Sequence, residues 1–360
     1  PSITLAYLSA YIKDRDYKVD WIDAIGEGLD TIWQSDDYPG YAINGLRIKE
    51  IIDRIPTHTS VIGINAMFSS EWPMTRDLIN AIRNNFPDVT IVAGGEHITA
   101  LTEYSLRDCG GLDVCIRGEG EIKFLDLLEG LTQHKSFSEI DGICFIDEAG
   151  DFQQTGDLNR IRDVDKIPWP WWPEGYLEKF WAATKSAGAG TGRDMPMMVS
   201  RGCPYQCTFC SSPNMWTTRY VLRDPDDVIS EIKEYIARYQ ITSIQLYDLT
   251  AITKKRWIVE FCNKLIEEDL GISWSVPQGT RSETLDEETL SLLYRTGCHY
   301  LVYAPESGSP STLERIKKRI KLPKMVESIM TARKLGLVLR TDLIIGFPGE
   351  TRWEILETIF

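Results

Sequence analysis

Three cysteines near the middle of the chain have the residue type and the spacing to bind a reactive metal cluster. Cys203, Cys207 and Cys210 stand in the segment Arg-Gly-Cys-Pro-Tyr-Gln-Cys-Thr-Phe-Cys, with the spacing C-x3-C-x2-C. Three thiolates from one short loop can hold three irons of a [4Fe–4S] cluster, and the fourth iron then has no protein ligand. An open iron is a Lewis-acidic coordination site, so the spacing predicts a cluster that does chemistry. The alternatives are a zinc knuckle or three unrelated buried cysteines.

The elements around these cysteines are predicted to form repeated strand–helix units of barrel type. A strand over residues 197–200 runs into the cysteine segment, and the helix over residues 225–239 has apolar residues on one face. Thr284-Leu-Asp-Glu287 is a capping box that opens a further helix. Five βα units are visible in the sequence. In such barrels the catalytic face lies at the carboxyl ends of the strands, where the cysteine segment is expected.

The first half of the chain is predicted to be an open, mostly parallel sheet with helices on both faces. The strands are predicted over residues 18–22, 60–64, 89–93, 113–116 and 143–145, the last as an edge strand, and the helices over residues 3–13, 48–54, 74–84, 99–107 and 121–131. Ligands bind such sheets at the carboxyl ends of the strands. Asn65 and the pair Gly94-Gly95 follow two of these strands, and a Gly-Gly pair lets a bulky planar group approach the backbone.

Length and composition limit the class of protein. A chain of 360 residues with 43% apolar residues is expected to form about two soluble globular domains. The net charge of −14 argues against a nucleic-acid or anionic-membrane binder. Apolar runs long enough to span a membrane are absent, and no export signal is visible. Cysteines outside the central three look like core residues, and an oxygen-sensitive cluster implies a reducing compartment, the cytoplasm.

The predicted domains are residues 1–149 and 196–360, with residues 150–195 as a linker. The run Ile-Pro-Trp-Pro-Trp-Trp-Pro-Glu-Gly-Tyr over residues 167–176 excludes regular helix there. Its tryptophans need a surface to pack on, and core filling against the second domain is favoured over substrate binding.

The cysteine triplet, the hydrophobic run before it and the aromatic Phe209 resemble the radical S-adenosylmethionine (SAM) superfamily. In that family the open iron chelates the amino and carboxylate groups of SAM, and an electron from the cluster cleaves SAM to a 5′-deoxyadenosyl radical. The resemblance implies that the three cysteines are the iron ligands and that Phe209 lies against adenine. It also implies a (βα)6 barrel, of which this chain would hold a C-terminally truncated part.

Further SAM contacts are implied at the ends of later strands. The resemblance places Tyr247 and Asp248 near the methionyl amine, although many members have two acids there, and Arg281 on the methionyl carboxylate. Glu306 and Ser307 would bond ribose and methionine. The segment Gly-Phe-Pro-Gly-Glu-Thr at residues 346–351 would close over adenine.

The first half resembles cobalamin-binding domains, whose pattern has Ser-x-Leu after one strand and Gly-Gly after the next. Asn65 stands where that pattern has serine, and Gly94 and Gly95 match the glycines. The fold implied is an open, Rossmann-like cobalamin-binding sheet whose first strand, with its cobalt-ligating histidine loop, is missing. His97 is interpreted as a turn residue in preference to a cobalt ligand. The segment Arg-Gly-Glu-Gly-Glu at residues 117–121 is interpreted as helix-start and packing chemistry.

The whole pattern implies a radical SAM enzyme with a [4Fe–4S] cluster, SAM and cobalamin as cofactors. The leading hypothesis is methyl transfer to an unactivated carbon of a small-molecule substrate. The nearest alternative is a cobalamin-dependent oxidation or ring closure, like that of the anaerobic magnesium-protoporphyrin ester cyclase, and a third is a cofactor-binding module without turnover. An electron donor such as flavodoxin or ferredoxin is expected as a partner.

Overall fold

The computed structural model describes residues 1–35, 37–185, 187–190 and 192–360. The chain forms two compact units: the first comprises Pro1–Arg162, Ile167–Lys179 and Asn214–Trp216, and the second comprises Asp163–Lys166, Phe180–Pro213 and Thr217–Phe360. Ser186 and Thr191 of the predicted linker lie outside the described residues. Within the described part of the chain, no helix is both long and apolar enough to cross a lipid bilayer.

The first unit contains a five-stranded sheet in the order β3-β4-β5-β6-β7. Its elements are α1 (Ile3–Lys13), β1 (Ile32–Gln34), β2 (Ala42–Asn44), α2 (Ile48–Ile52), β3 (Val61–Asn65), α3 (Trp72–Asn85), β4 (Thr90–Gly94), α4 (Glu96–Ala100), α5 (Thr102–Asp108), β5 (Val114–Ile116), α6 (Glu121–Thr132), β6 (Ile143–Ile146) and β7 (Phe152–Gln154). The pairs β3–β4 and β4–β5 are parallel, and β6 and β7 add antiparallel strands. The predicted α/β sheet is confirmed, with β7 and not β6 at its edge.

The beginning of the first unit differs from the prediction. The strand expected over residues 18–22 is wrong, because that segment has no regular structure, and an unpredicted antiparallel hairpin of β1 and β2 follows it. Charged residues at positions 18 and 20 interrupt the short apolar run, and the segment has no strand partner. The helix expected over residues 99–107 is divided into α4 and α5, with Leu101 in a non-helical conformation between them.

The tryptophan-rich run fills the interior of the first unit, and its expected packing on the second domain is wrong. Trp172 and Tyr176 are buried, and their rings stack with centroids 5.9 Å apart. Trp21 contacts both of these rings and also Trp171. Lys13 lies over the Trp171 ring at 4.4 Å. The interpretation of these tryptophans as core residues therefore holds, with residues of the first unit as their partners.

The second unit is built on five parallel strands in the order β14-β13-β12-β11-β8. Its strands are β8 (Asp194–Met197), β9 (Ser200–Arg201), β10 (Val221–Leu222), β11 (Ser243–Leu246), β12 (Ser273–Thr280), β13 (Cys298–Glu306) and β14 (Val338–Leu343). Its helices are α9 (Pro225–Tyr239), α10 (Lys255–Glu268), α11 (Glu287–Arg295), α12 (Pro310–Arg315), α13 (Leu322–Lys334) and α14 (Arg352–Ile359). Helices α7 (Tyr176–Ala182) and α8 (Ser212–Trp216) lie where the chain passes between units. The predicted βα repeat is confirmed.

Local sequence explains where the barrel helices begin. The Asp224 carboxylate accepts a 2.8 Å hydrogen bond from the Asp226 N–H, and Pro225 occupies the first helical position of α9. Asp286 caps α11 by accepting from the Thr289 N–H at 3.0 Å. This Asp286 cap replaces the predicted Thr284 capping box. Apolar residues at helical spacing then turn each helix toward the strands.

Candidate functional site

The strand that leads into the cysteines is held by a buried carboxylate. Asp248, just beyond β11, accepts hydrogen bonds from the Val199 N–H at 3.0 Å, from the Ser200 N–H, and from the Ser200 hydroxyl at 2.5 Å. Asp248 is 0% exposed, and burial raises its pKa to about 6 although the hydrogen bonds lower it. On the other side, Arg223 donates to the Met198 carbonyl at 2.9 Å. Residues 198–200, here called the stem, therefore have a fixed position.

The cysteine loop, residues 202–210, follows the stem. Cys203 and Cys207 are half-buried and Cys210 is exposed, and all three are free thiols. Burial raises the pKa of the Cys203 and Cys207 thiols, and the three sulfurs influence one another electrostatically. The loop thus carries three soft donors after β9, near enough to influence one another electrostatically.

A buried arginine braces the cysteine loop. The Arg281 guanidinium lies 3.6 Å from the centroid of the Tyr205 ring, which is part of the loop. It donates to the Glu283 carboxylate at 2.7 Å and to the carbonyls of Lys318 and Arg319 at 2.9 and 2.6 Å. Most of its hydrogen-bonding capacity is therefore used within the protein.

An ion pair and two aromatic rings lie where the ends of β13 and β14 meet the cysteine loop and the turn after α12. The Lys318 ammonium donates to Glu306 at 2.9 Å, and both side chains are buried. Glu306 has a φ of +68°, a left-handed conformation that is uncommon for residues other than glycine. Phe209 is 40% exposed, and its ring centroid lies 5.5 Å from that of Phe347 and 6.0 Å from the Lys318 ammonium. Three of these residues, Glu306, Phe209 and Phe347, were predicted to surround SAM or belong to a predicted segment.

Lys318 is a residue of this site that the sequence analysis missed. It stands in the basic stretch Lys-Lys-Arg at residues 317–319, where burial of one lysine among several basic residues has no sequence signal. Its place after α12, opposite the strand end that carries Glu306, was the only available indication.

The donor set of the cysteine loop fits a cluster better than a single zinc ion. A zinc site needs about four ligands converging on one point, whereas each thiolate of a cluster binds its own iron. Three thiols with buried cations beside them suit a negatively charged iron–sulfur group.

Three residues that were predicted to contact SAM have side chains bonded to other parts of the protein. Asp248 is occupied by the stem, as described above. The Ser307 hydroxyl lies 3.0 Å from that of Thr358 on α14 and accepts from the Ser309 N–H at 3.1 Å. The Tyr247 phenol interacts with the backbone of Ala187, and burial raises its pKa to about 12. These contacts engage the three side chains within the protein, and their contacts with SAM stay predictions.

A second candidate site lies at the carboxyl edge of the first unit's sheet. Asn65 and Gly94 are paired in register at the ends of β3 and β4, and the Ala66 N–H donates to the Gly94 carbonyl at 2.8 Å. Gly95 has a φ of +109°, and a Cβ atom there would lie 2.5 Å from the Ala66 carbonyl oxygen. At Gly94 an added Cβ would meet only the Ile116 carbonyl oxygen, at 3.7 Å, so the backbone there is open, which fits the approach of a flat macrocycle such as a corrin.

His97 is a core residue and does not face this edge as a free ligand. It is 2% exposed, and its ring stacks on Trp72 at 4.7 Å. Its Nδ1 lies 2.9 Å from the Ser69 hydroxyl and its Nε2 lies 3.2 Å from the Ser105 hydroxyl. Burial lowers its pKa, so the ring is neutral at pH 7. Because both nitrogens are engaged, a role as cobalt ligand is not supported, and the residue is helical instead of a turn residue.

The segment at residues 117–121 performs packing chemistry, as expected. Glu119 forms a buried ion pair with Arg160 at 2.7 Å and accepts from the Ile161 N–H at 2.8 Å. Gly120 precedes α6, whose first residue is Glu121. Gly118 has a φ of +72° and donates to the Thr99 hydroxyl at 2.9 Å.

Two protein families match the two halves of the chain. The radical SAM superfamily matches residues 197–360, and the B12 binding domain matches residues 1–128. The first match contains the cysteine loop and the second contains Asn65, Gly94 and Gly95.

Individual relatives are similar to this chain over all or nearly all of its length. An uncharacterised methyltransferase of Pyrococcus horikoshii is 30% identical over all of this chain, which covers 72% of that protein. The anaerobic magnesium-protoporphyrin IX monomethyl ester cyclase of Rubrivivax gelatinosus is 26% identical over 99% of this chain, which spans 61% of the cyclase. Among solved structures, the radical SAM methyltransferase TsrM from Kitasatospora setae, with cobalamin and a [4Fe–4S] cluster bound, has a similar fold. Its TM-score is 0.74 at 17% identity, covering 99% of this chain and 69% of TsrM.

Proposed function

Because the chain belongs to the radical SAM superfamily and carries a B12 binding domain, we propose that it transfers a methyl group to an unactivated carbon of a small molecule. Its cofactors would be a [4Fe–4S] cluster, SAM and cobalamin. When bound, these groups supply an electron for cleaving SAM and a carrier for the methyl group. The protein supplies placement and exclusion of water. The observation that carries the proposal is that residues from the ends of later strands, Arg281 and Phe347, contact the loop that holds the three free thiols.

The second unit offers residues for the cluster and for several parts of SAM. Cys203, Cys207 and Cys210 would bind three irons and leave the fourth open. Phe209 offers a partly exposed ring for adenine beside Phe347. Glu306, held by Lys318, would accept hydrogen bonds from ribose hydroxyls, and Arg281 would hold the loop through Tyr205 with one N–H direction left for a carboxylate.

The first unit would bind cobalamin along the strip formed by Asn65, Gly94 and Gly95. The backbone at Gly94 is accessible because no neighbouring atom lies closer than 3.7 Å to the position of an added Cβ. The Asn65 amide, exposed at the end of β3, would donate a hydrogen bond where the family pattern has a serine hydroxyl. An electron donor such as flavodoxin or ferredoxin would reduce the cluster, and its oxygen sensitivity favours a reducing compartment, the cytoplasm.

A second candidate function is a cobalamin-dependent oxidation or ring closure without net methylation. It is favoured by the 26% identity to the anaerobic ester cyclase, which extends over 99% of this chain. SAM with a labelled methyl group separates the two: label in the organic product supports methyl transfer, and a modified product without label supports ring closure.

The decisive experiment is anaerobic reconstitution with iron, sulfide and cobalamin, followed by incubation with SAM and dithionite. We expect about four irons per chain and formation of 5′-deoxyadenosine. Replacement of Cys203, Cys207 or Cys210 by alanine removes an iron ligand, so 5′-deoxyadenosine should fall at least about 100-fold.

The matched control is Cys262→Ala, because this thiol is buried in the core of α10, remote from the cysteine loop in sequence. It should keep the iron content and the cleavage of SAM. Loaded protein that yields no 5′-deoxyadenosine would support a cofactor-binding module without turnover and would refute the proposed activity.

A further inference from the structure

Lys318 is a charged side chain inside the second unit. It is only 7% exposed, although lysine is rarely buried unless it is paired. Its ammonium lies 2.9 Å from the Glu306 carboxylate and 6.0 Å from the centroid of the Phe209 ring. The positive charge is therefore held beside Phe209, near the end of the cysteine loop. Because the ammonium is buried, solvent screens its charge little.

The backbone on both sides of Lys318 is shaped to hold it there. Lys317 and Arg319 have φ values of +57° and +47°, left-handed conformations that cost free energy in residues with a side chain. The Lys317 carbonyl lies 3.9 Å from the Cys207 sulfur, and the Thr208 N–H donates to the Ile316 carbonyl at 3.0 Å. Residues 316–319, here called the basic turn, are thus attached directly to the cysteine loop.

Two buried cations are attached to the cysteine loop. The Arg281 guanidinium lies 3.6 Å from the centroid of the Tyr205 ring, and it donates to the carbonyls of Lys318 and Arg319 at 2.9 and 2.6 Å. Arg281 therefore joins the loop to the basic turn and places a second positive charge beside both.

We propose that Lys318, with Arg281 behind it, raises the reduction potential of the cluster held by Cys203, Cys207 and Cys210. Reduction adds one negative charge to a group that already carries three thiolates. A nearby buried cation stabilises the reduced state more than the oxidised one. The inference rests on the proposed function, because it concerns the cluster of that site, and it gives the basic turn a part in setting how readily SAM is cleaved.

The test compares lysine variants of the reconstituted protein without SAM. The midpoint potential of the cluster is measured by redox titration followed by electron paramagnetic resonance. Lys318→Gln should reduce the equilibrium constant for reduction about tenfold, a shift of about 59 mV to more negative potential for one electron. Lys318→Arg keeps the charge and should restore most of the shift. Lys324→Gln removes an exposed lysine of α13 and should leave the potential unchanged.

A second variant keeps the test decisive if Lys318→Gln fails to fold or to load iron. Glu306→Gln removes the opposing negative charge and should raise the potential. Equal potentials in wild type, Lys318→Gln and Glu306→Gln would overturn the inference, as would a lower potential in Glu306→Gln. Failure of the wild type itself to take up a cluster would instead refute the proposed function, so the two failures are distinguishable.

Discussion

Gly95 stands at a position where any side chain would collide with the neighbouring strand end. Its φ of +109° is strained for other residues, and an added Cβ would lie 2.5 Å from the Ala66 carbonyl oxygen. At Gly94, one residue earlier, an added Cβ would meet only the Ile116 carbonyl oxygen, at 3.7 Å. The two glycines therefore have different roles. Gly95 allows the backbone conformation of the turn, and Gly94 leaves open space beside the strand end.

Gly95→Ala should lower the free energy of unfolding by about 1–3 kcal/mol and abolish corrinoid binding, because the strand end must move. Gly94→Ala should fold with near-normal stability yet bind cobalamin more weakly, since its methyl group reduces the open strip. Urea unfolding and visible absorption of bound aquacobalamin measure the two effects. A Gly95→Ala protein with normal stability would contradict this reading of the turn.

Some residues of the site could be predicted from the sequence and others could not. The cysteine triplet could be found because its spacing alone specifies three ligands of one loop. Ser307 and Asp248 could not be placed, because a position after a strand does not determine where the side chain turns. Ser307 turns toward Thr358, and Asp248 toward the stem. Lys318 became visible only when the fold brought it to Glu306.

At the scale of elements, the stem is the short connection from β8 to β9, with charged groups bonded to its backbone. Asp248 binds two of its N–H groups and Arg223 binds its Met198 carbonyl. Arg223 is itself paired with the fully buried Glu231 and with Asp227. A stem fixed in this way positions the cysteine loop without any contact to its sulfurs.

The pKa of Asp248 predicts a pH dependence. Burial raises this pKa from 3.8 to about 6, so the folded protein binds the proton more tightly than the unfolded chain does. The resulting stabilisation is present below about pH 3.8 and is lost as the pH rises through about 6. Relative to Asp248→Asn, which does not titrate, the wild-type free energy of unfolding should fall by on the order of 3 kcal/mol over this range.

Urea unfolding of both proteins at several pH values, followed by tryptophan fluorescence, measures this difference. Asp269→Asn, at the exposed end of α10, is the matched control and should show no such trend. A difference between wild type and Asp248→Asn that stays level, or that grows with pH, would refute a raised pKa.

The elements themselves were predicted best where the pattern is long. Helix α9 was predicted with its observed ends, because Pro225 and fifteen residues of regular apolar spacing define it. The hairpin of β1 and β2 was missed because each strand has only three residues and an exposed-intermediate-exposed pattern. Short elements of this kind depend on their pairing partners more than on their own sequence.

At the scale of the whole molecule, each candidate site is built within one unit. The cysteine loop, Arg281, Glu306 and Lys318 belong to the second, and Asn65, Gly94 and Gly95 belong to the first. Each unit has its own buried apolar cluster. The alternation of strands and helices in both halves allowed this division to be predicted, whereas the return of Ile167–Lys179 to the first unit was not, because it depends on tertiary contacts of the tryptophans.

Replacement of all three loop cysteines by alanine should therefore remove the iron but leave the corrinoid affinity within about twofold of wild type. Gly95→Ala should do the reverse, losing corrinoid and keeping iron. Iron analysis and visible absorption of the same samples measure both. Loss of cobalamin binding in the cysteine variant would contradict separate construction of the two sites.

The stem is fixed by other residues of the protein, whereas the thiols remain partly exposed to solvent. This difference has a consequence for how the cluster is assembled. Asp248 and Arg223 secure the backbone with protein groups alone, while Cys210 is exposed and its two companions are half-buried. Because the thiols stay accessible in the folded chain, we expect the polypeptide to fold before iron and sulfide are inserted. A centre destroyed by oxygen could then be replaced in the finished molecule, without new synthesis of the chain.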